Sequence, residues 1–178
     1  MSKKIKKTLK IISDVLVIAV VLFVFLLHGT KLIGLTPYTV LSGSMESVYP
    51  TGSLIYVTKV DPEELEVGEI ITFRLQNGSV ATHRIIELVT DERDPSTTRF
   101  RTKGDENNVA DGSLVDFGSV IGKPIFCIPF LGYLASYISV APGKFVALCV
   151  AISLIAVEIL ISIILDESGK KDSGKPES

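Results

Sequence analysis

Two apolar runs constrain this chain more than any other feature: residues 11–27 (IISDVLVIAVVLFVFLL) and residues 145–165 (FVALCVAISLIAVEILISIIL). A helix needs about 20 apolar residues to cross a hydrocarbon core of roughly 30 Å. Both runs reach that length once the first is extended to residue 30. Residues 1–10 (MSKKIKKTLK) hold five lysines and no acid, and such basic flanks stay cytoplasmic. The chain is therefore expected to run outward through 11–30 and back through 145–165. Residues 166–178 then form a cytoplasmic tail, polar enough to be expected disordered. Residues 28–36 (HGTKLIGLT) contain no small-x-small cleavage site, so the first run reads as an uncleaved anchor rather than a secretory signal. Glu158 inside the second run is costly in lipid and should face the first span or a partner.

With 178 residues in all, the stretch between the spans has room for one modest domain. Residues 31–140 read as that domain, extracytoplasmic and mainly β. Strands are expected at Ser53 to Thr58, Glu69 to Leu75, Ser79 to Val89 and Phe100 to Lys103, with Val120-Ile121-Gly122 closing the sheet. Asn77-Gly78 between two β-rich runs predicts a hairpin with a type I′ turn. The same residues with Ser79 match a glycosylation pattern, which the turn explains without sugar. Residues 90–98 (TDERDPSTT) read as a polar loop. Residues 124–140 (PIFCIPFLGYLASYISV) are apolar but interrupted by Pro129 and Gly132. They suit a segment resting at the membrane surface, or a cover on the domain core.

Composition excludes several classes. Residues 28–144 carry ten basic and fourteen acidic groups, so no nucleic-acid footprint is present. The two cysteines, Cys127 and Cys149, are not a disulfide framework, and Cys and His do not fall at zinc-ligand spacing. No metal or cofactor is expected.

The chemistry concentrates in a few short stretches. Leu41-Ser42-Gly43-Ser44-Met45-Glu46 is a small-residue turn soon after the first span, and Ser44 can be a nucleophile if a base takes its proton. Only two histidines exist. His28 ends the first span, whereas His83 lies on the hairpin's return strand, on one face with Ala81 and Ile85. A histidine there can equally be a satisfied core residue. Asp105 and Asp111 sit in a Gly- and Asn-rich loop, and either can accept a hydrogen bond from the imidazole or simply shape the turn. The Ser42 hydroxyl and the Ser44 amide are candidate donors to an oxyanion. Lys59 and Lys103 are alternative bases only if burial lowers their pKa.

Taken together, three ordered boxes resemble the type I signal peptidases. Residues 41–46 followed by Pro50-Thr51-Gly52-Ser53-Leu54 resemble the serine box, and Thr82-His83-Arg84-Ile85 the base box of the endoplasmic-reticulum and archaeal subtype. Residues 102–108 (TKGDENN) with Asp111 resemble that subtype's acidic box. Ser47 departs from the family, standing where many members have proline. The resemblance implies a signal-peptidase-like β fold with an N-terminal and a C-terminal transmembrane helix. It implies a serine endopeptidase of the cell membrane with Ser44 as nucleophile and His83 as general base. Asp111 is then the first choice of orienting acid, with Asp105 also implicated, and Ser42 with Ser44 supplies the oxyanion donors. Substrates would be preproteins bearing signal peptides; an accessory membrane protein is left open. Two other readings compete: a non-catalytic membrane-tethered β module, and a Ser-Lys protease of the same fold.

Overall fold

The computed structural model describes residues 3–90 and 98–172. The expected loop at 90–98 is thus largely outside the described residues, as are residues 173–178. The chain divides into two compact units, one of residues 28–136 and one in which residues up to Leu27 join those from Tyr137 onward. The helices are α1 (Lys3–His28), α2 (Leu131–Ser139) and α3 (Gly143–Asp172).

In the helical unit, Lys7–Ile33 and Gly143–Ile163 are long and apolar enough to cross a membrane. Large side chains such as Ile18, Val21, Leu148 and Ile152 remain exposed along them, as expected of helices whose solvent is not water. Polar groups gather at one place. Glu158 of α3 faces α1, where the Ser13 hydroxyl and the Lys10 ammonium donate to it, the latter over 3.3 Å. Lys10 also reaches Asp14, one turn further along, at 3.3 Å. The α3 helix continues past the apolar run, so residues 166–172 are helical where a disordered tail was expected.

The other unit is a mainly β domain. Its strands are β1 (Leu35–Thr39), β2 (Leu54–Thr58), β3 (Ile70–Arg74), β4 (Val80–Thr90), β5 (Thr98–Lys103), β6 (Val115–Asp116) and β7 (Val120–Ile128). They form one antiparallel sheet in the order β1-β2-β7-β3-β4-β5-β6. Leu65, Ile71, Phe73, Ile85, Phe100 and Val115 pack together as its core, with Phe117 stacked on Phe100 at 5.1 Å. Met45 and residues 54–57 of β2 are also buried.

Three local features differ from the sequence expectation. The strand β1 was not foreseen; it carries Pro37, which an edge strand tolerates because no ladder donor is needed on its outer side. The segment at 124–140 is built from two elements, with apolar side chains such as Phe126, Phe130 and Tyr133 exposed along it. Its first part continues β7, paired with β2 and shifted in register near Pro124, and only residues 131–139 are helical. Proline sits there because a bulge relieves it of a ladder bond. Finally, the Asn77-Gly78 hairpin is not a type I′ turn. Gly78 is left-handed (φ 83°) but Asn77 is not. The Gly78 amide donates to the Leu75 carbonyl and the Leu75 amide to the Ser79 carbonyl, giving a five-residue connection with a glycine bulge.

Candidate active site

Ser44 sits in the middle of a short 3-10 turn, Gly43–Met45, that follows extended Ser42. The turn is anchored from below and behind. Met45 is buried, and its sulfur accepts from the Asp105 amide at 3.2 Å. One Glu46 carboxylate oxygen accepts from the Thr51 amide at 2.9 Å and the Thr51 hydroxyl at 2.6 Å, which holds that carboxyl below the usual range. Ser44 lies in the opening turn, where an amide has no partner within the turn itself. The Ser42 hydroxyl lies 3.2 Å from the Ser44 hydroxyl.

His83 arrives from β4. Its Nε2 is 3.0 Å from Ser44 Oγ, and its Nδ1 is 2.6 Å from Asp111 Oδ2. Phe73 meets the ring edge-on at 6.2 Å, so the imidazole is hemmed between a phenyl group and two hydrogen-bond partners. Asp111 is fixed in turn. Its amide donates to the Thr102 carbonyl at 2.8 Å, and the Thr102 hydroxyl donates to Asp111 Oδ2 at 2.6 Å. Such an arrangement selects the tautomer with hydrogen on Nδ1 and leaves Nε2 able to take the serine proton.

Asp105 was expected as a second candidate for that role, but the structure joins it to a different partner. Arg84, next along β4, donates to both of its oxygens, from Nε at 2.9 Å and from a terminal nitrogen at 2.5 Å, and a further nitrogen reaches the Gly68 carbonyl at 2.7 Å. Strand alternation explains this: His83 and Arg84 point to opposite faces and so meet different acids. The Arg84 guanidinium beside Asp105 holds its carboxyl below the ordinary aspartate range. Among the described residues, neither Lys59 nor Lys103 is hydrogen-bonded to Ser44, whose hydroxyl meets Ser42 and His83.

Gly104 was passed over in the sequence as a turn former. A Cβ placed there would lie 2.6 Å from the Ser44 carbonyl oxygen and 2.8 Å from Ser44 Cβ. Beside it, the Glu106 amide donates to that same carbonyl at 3.0 Å. The acidic loop therefore grips the Ser44 backbone directly, and only glycine permits the approach. The signal was a glycine immediately before an acidic, Asn-rich turn; its meaning needed the long-range contact.

A cavity of about 360 Å³ opens beside Ser44, bounded by Tyr38, Leu41, Tyr49 and the 80–83 stretch of β4. Burial pushes the Tyr49 phenol up. The arrangement can abstract a serine proton, stabilise the resulting imidazolium and hold an extended chain nearby.

No family model matches the chain. It is 36% identical over 118 residues to signal peptidase I W of Bacillus subtilis, covering 64% of this chain and 60% of that relative. It is 33% identical over 101 residues to the human signal peptidase complex catalytic subunit SEC11C, covering 52% of each. The putative human catalytic subunit SEC11B is 30% identical over 105 residues, 54% of this chain and 62% of that one. The chain thus spans between half and two thirds of the length of the curated relatives it matches.

Proposed function

The chain belongs to the type I signal peptidases, of the endoplasmic-reticulum and archaeal kind, and from that premise we propose that it is a membrane-bound serine endopeptidase removing N-terminal signal peptides from secreted preproteins. The observation that carries the mechanism is the unbroken line from Ser44 through His83 to Asp111, at 3.0 and 2.6 Å.

In this reading His83 Nε2 takes the hydroxyl proton as Ser44 Oγ attacks the carbonyl carbon of the scissile bond. The Ser44 amide and the Ser42 hydroxyl donate to the oxygen that gains charge. As the C–N bond breaks, His83 returns the proton to the departing amine. Water then attacks the acyl-serine with His83 again as base, which restores the hydroxyl. Asp111 keeps its charge throughout and steadies the imidazolium. Acid, by protonating His83, removes the base and slows the reaction. Asp105 acts at one remove, through Arg84 and the Met45 contact, by holding the acidic loop against the nucleophile turn.

The substrate lies extended in the cavity beside Ser44, adding a strand to the open edge of β4. Small side chains before the cut fit beside the tight Ser42-Gly43-Ser44 turn. The two apolar helices anchor the enzyme with its catalytic domain outside the cell membrane and its lysine-rich head inside. Enzyme and signal segment then share one bilayer, which raises their effective concentration.

The test uses the full chain in detergent micelles or vesicles with a signal-bearing preprotein. Ser44→Ala should insert and fold while cleaving nothing. Cleavage retained by purified Ser44→Ala overturns the assignment, and unchanged activity in His83→Ala would point to a lysine base instead.

A further inference from the structure

The strand β5 alternates in burial. Phe100 and Thr102 are fully enclosed, while Arg99, Arg101 and Lys103 on either side of them are half-buried. Thr102 is the register partner of Ile85, which belongs to the core and shares a face of β4 with His83. A valine has the same shape, so packing alone asks for no hydroxyl there, and burying one without a partner is costly. Thr72 is equally enclosed, and its hydroxyl meets that of a second threonine, Thr82, at 2.9 Å. The Thr102 hydroxyl instead donates to a carboxylate. It reaches Asp111 Oδ2 at 2.6 Å, the same oxygen that lies 2.6 Å from His83 Nδ1. The function proposed above assigns work to Ser44, His83 and Asp111, and none to this threonine.

We propose that Thr102 is a positioning residue of the reaction, its hydroxyl fixing the rotation of the Asp111 carboxylate so that one oxygen stays on His83 Nδ1. This rests on Ser44 being the nucleophile. A carboxylate swivels easily about its Cβ–Cγ bond, a torsion with broad wells, so one hydrogen bond from an imidazole does not hold it. Two donors on one oxygen, one from β4 and one from β5, define a direction. The Asp111 side chain is 22% exposed, so water competes for that oxygen wherever the hydroxyl does not occupy it. The main chain has a separate part. The Asp111 amide donates to the Thr102 carbonyl at 2.8 Å, which places the backbone of Asp111, and any non-proline residue at position 102 can keep that bond. The hydroxyl orients the carboxylate. When His83 gains the serine proton, a carboxylate turned aside stabilises the imidazolium less, and proton transfer slows with no change in how substrate binds.

The experiment measures kcat and KM of the full-length protein in micelles, on one signal-bearing preprotein, for the unaltered chain and for Thr102→Ser, Thr102→Val and Thr102→Ala. The unaltered protein and Thr102→Ser carry the hydroxyl, whereas the unaltered protein and Thr102→Val fill the same space. The rate should follow the hydroxyl. Thr102→Val should fall roughly tenfold in kcat below the unaltered protein, and Thr102→Ala roughly tenfold below Thr102→Ser, the lower end of what one hydrogen bond to a charged group supplies, with KM held within about twofold. A residue that served packing alone gives the other ranking, with Thr102→Val as fast as the unaltered protein and Thr102→Ser slow. That ranking overturns the proposal, and so does an equal kcat in all four proteins or a change confined to KM. Because each pair differs chiefly by the hydroxyl, Thr102→Ser against Thr102→Ala decides the matter even if Thr102→Val does not fold. Cleavage that persists in Ser44→Ala is a different result, because it refutes the Ser44 reading and with it the reaction that Thr102 would serve.

Discussion

The molecule contains two polar clusters that look alike on paper and are built on opposite principles. In the sheet unit, Ser44, His83 and Asp111 are joined at 3.0 and 2.6 Å. In the helical unit, Lys10 reaches Asp14 and Glu158 at 3.3 Å, with Ser13 also on Glu158. Lys10, Ser13 and Asp14 share a helix face by their spacing alone, and each helix satisfies its own backbone. Among the described residues, Glu158 meets that face through side chains, those of Lys10 and Ser13. The Ser44 cluster is instead braced through main chain: Glu106 N–H on the Ser44 carbonyl, Asp111 N–H on the Thr102 carbonyl, Gly104 against Ser44. The first design gives cohesion and tolerates play. The second gives position.

The contrast can be broken at its strong end first. Asp111→Asn keeps the shape but offers an amide where His83 needs a carboxylate, so kcat should fall by roughly 10³- to 10⁴-fold, measured by single-turnover cleavage. A fall of tenfold or less would mean that Asp111 only shapes the loop. Gly104→Ala should come next. Its methyl group must displace the Ser44 backbone, and a shift near 1 Å costs about 10²-fold in rate, with KM moving much less. Normal kcat in this variant would show that the acidic loop does not set the nucleophile's position.

Smaller effects are expected from the helical cluster. Glu158→Leu should lower stability in detergent by about 1 kcal/mol, the scale of interhelical polar contacts, and leave kcat within twofold. A loss of activity comparable to Gly104→Ala would erase the distinction drawn here. The smallest change concerns the Arg84–Asp105 pair. Because this carboxyl titrates below its ordinary range when folded, its contribution is present above roughly pH 4 and disappears as pH falls through the folded value. Asp105→Asn should therefore flatten the acid side of a plot of unfolding temperature against pH. An unchanged acid slope would mean the pair adds nothing to stability.

How much of this was legible in the sequence follows from how local each feature is. The two apolar helices and the β4 hairpin arise from runs of neighbouring residues, and both were readable. His83 stood out because the sequence has only two histidines, whereas Ser44 and the two aspartates stood out only through the order of their boxes. The choice between Asp105 and Asp111 was not readable, since it depends on which face of β4 each acid meets. Pro37 and Pro124 hid strands for a related reason: their tolerance depends on an edge and a bulge that only the assembled sheet defines. Gly104 looked like one more turn residue until Ser44 was placed beside it.

One further consequence follows from the way β4 changes partners along its length. Residues 80–84 pair with β3 and residues 84–90 with β5, so only the middle, at Arg84 and Ile85, has partners on both edges. Backbone amides bonded to either neighbour should release their hydrogens to solvent only when that pairing opens. Those directed outward from residues 80–83 should exchange far sooner, and should slow sharply when an extended peptide occupies the edge. Two exchange regimes within one strand would thus report binding directly, without any bond being cut.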